Sequence, residues 1–241
     1  RLVIQFSRTM SFGIEWSVIR ELFRFGLPTG FQGLVMNIGG ILLLRFIGSL
    51  QHSAQAQAAY AVGYTELFSF ITWTSVGLMW ATAAIAGQNL GAGHPERSAR
   101  AAMVASAIGI GLACIVGSLF LFLPRTLLSV FGMGEGIQYE LGSELLAYLA
   151  VSGFFVTVAL TYTGALQGTG DTKSPLYISI VSQLVIPIGL CAYLQMTRGL
   201  QPTDIWTAIV LGHVSRALLS VLRFRQGKWR NISVDIGTAR G

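Results

Sequence analysis

Glu66 is the only acidic residue well inside a long apolar stretch of this chain. Steps of four and three residues lead from it to Phe70, Trp73, Gly77 and Trp80, which places all five on one face of a helix. A carboxylate above a row of aromatic rings has the chemistry to hold a hydrophobic cation, through charge and through attraction to the ring faces. The same spacing also allows a plainer arrangement, with Trp73 and Trp80 facing lipid while Glu66 lies shallow and pairs with Arg45. Gln32, Asn37, Tyr60, Tyr64 and Gln183 are the next candidates for lining such a cavity. Uncharged polar groups in apolar helices equally serve to bond neighbouring helices. His213 and Arg216 share a face at i and i+3; Arg216 is expected to snorkel toward headgroups, and His213 to be a satisfied interhelical group rather than a proton carrier.

The elements that must position these residues follow from the spacing of charge. The 241 residues are 53% hydrophobic and 11% charged, and charge-free runs fill 25–44, 67–95, 101–124, 145–170 and 174–197. About 20 mainly apolar residues cross a bilayer, so five such runs predict an all-α, polytopic transmembrane helix bundle. Six spans are expected, at about 26–48, 57–87, 96–122, 142–167, 174–196 and 204–224, with Pro28 in the opening turn of the first and Pro187 kinking the fifth. Residues 1–25 read as a loop with an interfacial amphipathic helix built on Trp16, Ile19, Leu22 and Phe23, and 225–241 as a basic tail. The opening at Arg1, without a signal-peptide pattern, reads as the downstream part of a longer chain.

Twelve of the 16 Lys and Arg residues fall on one side of this layout, and only Arg125 and Arg198 fall in loops of the other. That bias predicts a multi-pass protein of the inner (plasma) membrane with both termini and the 88–96 connector cytoplasmic. The net charge of +6 is spread over loops without a compact basic face, so no nucleic-acid partner is expected. Cys114 and Cys191 lie in apolar runs and behave as small hydrophobes rather than a disulfide pair. An intramembrane enzyme is disfavoured, because no G-x-S-x-G occurs and the histidines stand apart at 52, 94 and 213.

Two glycine turns end helices that run from outside to inside. In "GQNLGAGHPERSARAA", Gly91 and Gly93 can turn the chain, Pro95 suits the first position of the next helix with His94 as cap, and Glu96 faces the positive end of its dipole. In "GALQGTGDTKSP", glycines 164, 168 and 170 close one helix, Asp171 or Thr172 can cap the next, and Pro175 falls in its first turn. Gly39, Gly40, Gly109, Gly111 and Gly117 are expected where helices approach closely.

These turns, "ELFRFGLPTGFQ" at 21–32 and "RFRQGKWRNI" at 223–232 occur in the order and spacing of a known family. From about residue 18 to 232 the chain resembles the C-terminal half, helices seven to twelve, of the multidrug and toxic compound extrusion (MATE) transporters. The resemblance implies one six-helix lobe of a twelve-helix transporter, partnered by an N-terminal six-helix lobe and by membrane lipids. It implies export of amphipathic or cationic compounds by alternating access, in exchange for Na⁺ or H⁺, with no further cofactor. Some members carry a glutamate in the seventh helix just after the Leu-Pro motif, where this chain has Gln32, which cannot carry a titrating charge. A lipid-linked oligosaccharide flippase of the same broad superfamily is the alternative. Its cavity needs several cationic groups, and only Arg45 and Arg216 are available here.

Overall fold

Six apolar rods run up and down in a single bundle, and the computed structural model describes residues 15–232 of it. Expectations for 1–14 and 233–241, including Arg1, Arg8 and Arg240, lie outside the described residues. The first rod is α1 (Trp16–Gly48). The second joins α2 (Ser53–Tyr60) to α3 (Ser69–Gly91) through a π-helical stretch, Ala61–Leu67. α4 (Pro95–Phe122) and the short α5 (Pro124–Ser129) lead to α6 (Gly136–Gly168). The fifth rod joins α7 (Lys173–Ser179) to α8 (Ile186–Thr197) through a second π stretch, Ile180–Val185, and α9 (Pro202–Arg225) is the sixth. Each rod has a window long and apolar enough to cross a membrane, and no strand occurs among the described residues. The expected all-α class and number of spans therefore stand.

Three local expectations change. The first span begins ten residues before the expected position 26: α1 is continuous from Trp16, so no break separates an amphipathic segment from the span. Pro28 accordingly lies inside the helix rather than in its opening turn. Lacking an N–H, it leaves the Arg24 carbonyl without its helical donor. In the fifth rod, Pro187 sits in the first turn of α8, and the winding slackens just before it, over Ile180–Val185. The Gln183 carbonyl, which Pro187 cannot bond, points at α1; a β-carbon on Gly39 would stand 2.6 Å from it, so only glycine fits there.

Both glycine turns form. Gly93 and Gly170 take positive φ, +76° and +91°, while Gly91 stays helical. Pro95 opens α4 with Glu96 in its first turn, but the His94 side chain makes no capping bond. At α7 the cap is Asp171, whose Oδ1 accepts the Ser174 N–H at 3.2 Å; the Thr172 side chain does not cap.

The centre of the bundle is α6, with 61% of its apolar window inside the lobe against 22% for α1. Its small residues let neighbours touch at backbone level. β-carbons on Gly164 and Gly168 would collide with the backbones of Met79 and Ala83 in α3, and one on Gly87 would meet the Gly168 carbonyl at 2.6 Å. Gly109 is closed by Thr157, and Gly117 faces Ala150 O at 3.5 Å. Gly40 and Gly111 have nothing within 4 Å, so the close approach expected at these two is not made. Hydroxyl pairs add to the seams, Ser75 to Thr157 at 2.8 Å and Ser106 to Thr161 at 2.6 Å.

Candidate functional site

The clearest openings lie end to end along the seam between α1 and the α2–α3 rod. The outer cavity, so named because it is the farther of the two from the basic end of the bundle, has about 470 Å³ and is lined by Asn37, Gly40 and Leu44 of α1 and by Tyr60, Tyr64, Thr65, Ser69, Thr72 and Trp73 opposite. The inner cavity, of about 530 Å³, lies between Val18–Gly30 of α1, Trp80 and Ala83 of α3, and Gln167, Gly168 and Thr172 at the end of α6. Walls of mixed aliphatic, aromatic and hydroxyl character suit an amphipathic guest. Neither lining contains Lys or Arg, and Glu21 is the only charged residue among them.

The aromatic wall of the outer cavity draws on all three parts of the second rod, Tyr60 from α2, Tyr64 from the π stretch and Trp73 from α3. Tyr60 and Tyr64 stack with ring centroids 4.9 Å apart and planes 8° from parallel. Tyr64 continues to Phe68 at 5.6 Å, and its hydroxyl lies 3.5 Å from His213 Nε2. On the opposite wall, Asn37 Nδ2 donates to Gly33 O at 2.9 Å, which fixes the side chain against its own helix.

The structure divides the expected site residues into groups. It brings Asn37, Tyr60, Tyr64 and Trp73 together in the outer cavity. Trp80 lines the inner cavity, so the row predicted from Glu66 is split between two openings. Glu66 and Phe70 are exposed and line neither cavity. Glu66 has no ion-pair partner among the described residues, so the pairing with Arg45 weighed as an alternative does not occur.

Gln32 and Gln183 face inward instead. Gln32 is buried, donating from Nε2 to Ser179 Oγ at 2.9 Å and accepting from Gln167 Nε2 at 2.9 Å, and so ties α1 to α6 and α7. Gln183 lies against Gly212 of α9, and its Nε2 has no partner. The expectation for Arg216 is overturned: the side chain is 4% exposed, inside the bundle rather than snorkelled to the headgroups. Deep in the middle of a helix, its reach is taken up by neighbouring helices before it can find water. His213 has a partner for Nε2 but none for Nδ1.

Sequence reasoning missed the network at the basic end. Asp171 Oδ2 accepts from Arg223 Nε at 2.9 Å and from Ser174 Oγ at 2.8 Å, tying the α6–α7 turn to the end of α9. Beyond α9, Trp229 folds back, donates from Nε1 to Phe224 O at 2.8 Å and stacks on the Phe224 ring at 4.7 Å. The charges were visible at 171 and 223, but nothing local pairs residues that far apart in sequence.

Comparison with known proteins agrees with this architecture. The MatE family model matches residues 28–193. A probable multidrug resistance protein NorM of Xanthomonas campestris is 30% identical over 216 residues, 89% of this chain and 46% of the relative. The multidrug resistance protein PmpM of Pseudomonas aeruginosa is 26% identical over 227 residues, 90% of this chain and 46% of that protein. Among solved structures, an outward-facing multidrug resistance MATE family transporter superposes with a TM-score of 0.82 at 19% identity, covering 93% of this chain and 50% of the other. A eukaryotic MATE transporter gives 0.78 at 20% identity, covering 90% and 49%. The chain spans about half the length of the curated relatives it matches. With its six apolar rods and the family match over most of their length, the chain belongs to the MatE family of membrane transporters.

Proposed function

We propose that this chain is the C-terminal lobe of a secondary antiporter that exports amphipathic, cationic compounds by alternating access, in exchange for Na⁺ or H⁺. One observation carries the reading: two cavities without a single Lys or Arg run end to end along the α1/α3 seam, open on the face of the lobe. A guest cation meets ring faces at Tyr60, Tyr64 and Trp73 and an amide at Asn37, while the exposed Glu66 carboxylate belongs to the same rod outside that lining. The lack of basic residues in these two linings also disfavours the flippase alternative, whose pyrophosphate cargo needs them. A second lobe closes the open side, and rocking of the two lobes exposes the seam to each side of the membrane in turn. The basic end, with Arg24, Arg97, Arg100, Lys173 and Arg223, faces the cytoplasm in the inner membrane.

Efflux of a fluorescent cation from vesicles holding the full-length protein, under imposed Na⁺ and then pH gradients, tests this reading. Export driven by one gradient supports antiport; no dependence on either removes it. Glu66→Gln is expected to weaken export of cationic compounds more than it lowers the amount of protein in the membrane. Equal losses in both would give Glu66 a structural role only.

A further inference from the structure

Arg216 lies within one turn of the midpoint of the 24-residue helix α9, is 4% exposed, and has no ion-pair partner among the described residues. The four ion pairs there join Arg24 to Glu21, Arg125 to Glu135, Arg198 to Asp204 and Arg223 to Asp171. The other described acids, Glu15, Glu66, Glu96, Glu140 and Glu144, make no ion pair with it. The rings that receive a guanidinium, Phe25 and Trp229, take Arg24 and Arg230 instead. Arg216 Nε has no hydrogen-bond acceptor.

An arginine on a helix leans back toward the N-terminus, which directs Arg216 over the turn holding Gly212 and His213. Two further unpartnered nitrogens belong to that turn. Gln183 Nε2 lies 3.5 Å from where a β-carbon on Gly212 would stand, and His213 Nδ1 is buried without a partner. The Tyr64 hydroxyl lies 3.5 Å from His213 Nε2; in the tautomer in which the hydroxyl donates to Nε2, Nδ1 carries the hydrogen. Arg216 Nε and Gln183 Nε2 are N–H donors in any case, and His213 Nδ1 is a third in that tautomer. Both π stretches contribute, Ala61–Leu67 through Tyr64 and Ile180–Val185 through Gln183. Such local rewinding is frequent at functional sites, and irregular backbone at membrane depth is tolerated where it is enclosed by protein.

We propose that Arg216, Gln183 and His213 form a buried binding site for a small monovalent anion of chloride size, inside the lobe and behind the Tyr64 wall of the outer cavity. Water would satisfy the donors yet leave a full positive charge among apolar helices. A halide accepts from all three and neutralises the guanidinium. The site stands whether or not the seam carries cationic cargo.

The test is thermal unfolding of the full-length protein in detergent at fixed Na⁺, with sodium chloride replaced stepwise by sodium gluconate. Chloride is expected to raise the Tm saturably by a few degrees, with bromide substituting, because a ligand bound only by the folded state stabilises it. Arg216→Gln is expected to abolish the shift. Should that variant fail to fold, Gln183→Leu keeps the charge, removes one donor, and is expected to raise the half-saturating chloride concentration by roughly tenfold. Crystals grown in bromide should show its anomalous signal within contact of Arg216 Nε. Equal Tm in chloride and gluconate overturns the site, as does an unaltered chloride response in either variant. A carboxylate from elsewhere in the protein serving Arg216 would give the first of these results.

Discussion

The two flanks of the lobe use glycine for opposite ends. Where α3 crosses α6, Gly164 and Gly168 meet the backbones of Met79 and Ala83 with no room for a β-carbon. Along α1, Gly26, Gly30 and Gly33 have nothing within 4 Å, and two of them line the inner cavity. The α3–α4–α6 flank is thus packed at backbone contact and closed by hydroxyl pairs. The α1 flank is held at Gly39 and at the Gln32 network and is open over much of the rest. One flank is a body that keeps its shape, and the other is a seam with free volume. The difference shows which helix can shift without dismantling the other.

The sharpest break of this comparison is Gly168→Val set against Gly30→Ala. Overpacking costs about 3 kcal/mol where backbone cannot yield, so Gly168→Val should lower the unfolding midpoint in detergent by many degrees or abolish folded protein. Gly30→Ala, in a helix with open space, should be neutral or gain about 0.5–1 kcal/mol from helix propensity. Equal damage from both would sink the distinction. Next in size is Gln32→Leu, which orphans Ser179 and Gln167 together. Interhelical hydrogen bonds in membranes average about 0.6 kcal/mol, so a loss of about 1 kcal/mol is expected, with faster proteolysis near α1 as the second readout. Thr157→Val keeps the volume against Gly109 and removes the bond to Ser75; about 0.6 kcal/mol should be lost, and a double cycle with Ser75→Ala measures the coupling. Smallest is Arg223→Gln. Its pair with Asp171 is a partly exposed bond at the end of the bundle, so a loss of about 0.5 kcal/mol is expected, shrinking in high salt.

Much of this fold was legible because its signals are local. A charge-free run reports a span directly, and Gly93–Pro95 or Gly170–Asp171 reports a turn through φ and capping alone. The rank of helices was not legible: α4 is more apolar than α6, yet α6 is the buried one. Lipid is as apolar as a protein core, so hydropathy cannot separate a central helix from a peripheral one. The same blindness governed the site. A spacing of four and three grouped Glu66 with Trp73 and Trp80, but it could not say which neighbour faces that stripe, and α1 divides it between two cavities. Tyr60 and Tyr64 share a face at i and i+4, but that Asn37 of α1 stands opposite them depends on how two rods pack. Gln32 and Arg216 were each placed from one helix, whereas their surroundings come from two or three others.

Rod length has a consequence of its own. Ser53–Gly91 runs for 39 residues, roughly 58 Å at 1.5 Å per residue, through a hydrocarbon layer of about 30 Å. The fifth rod, Lys173–Thr197, with 25 residues, is far shorter. Helices so unequal cannot all stand upright in one bilayer, so the long one leans or emerges while the short one sets the comfortable depth. Acyl-chain length therefore becomes a dial on the posture of the whole lobe. Thicker and thinner bilayers should favour different tilts of the same unaltered protein.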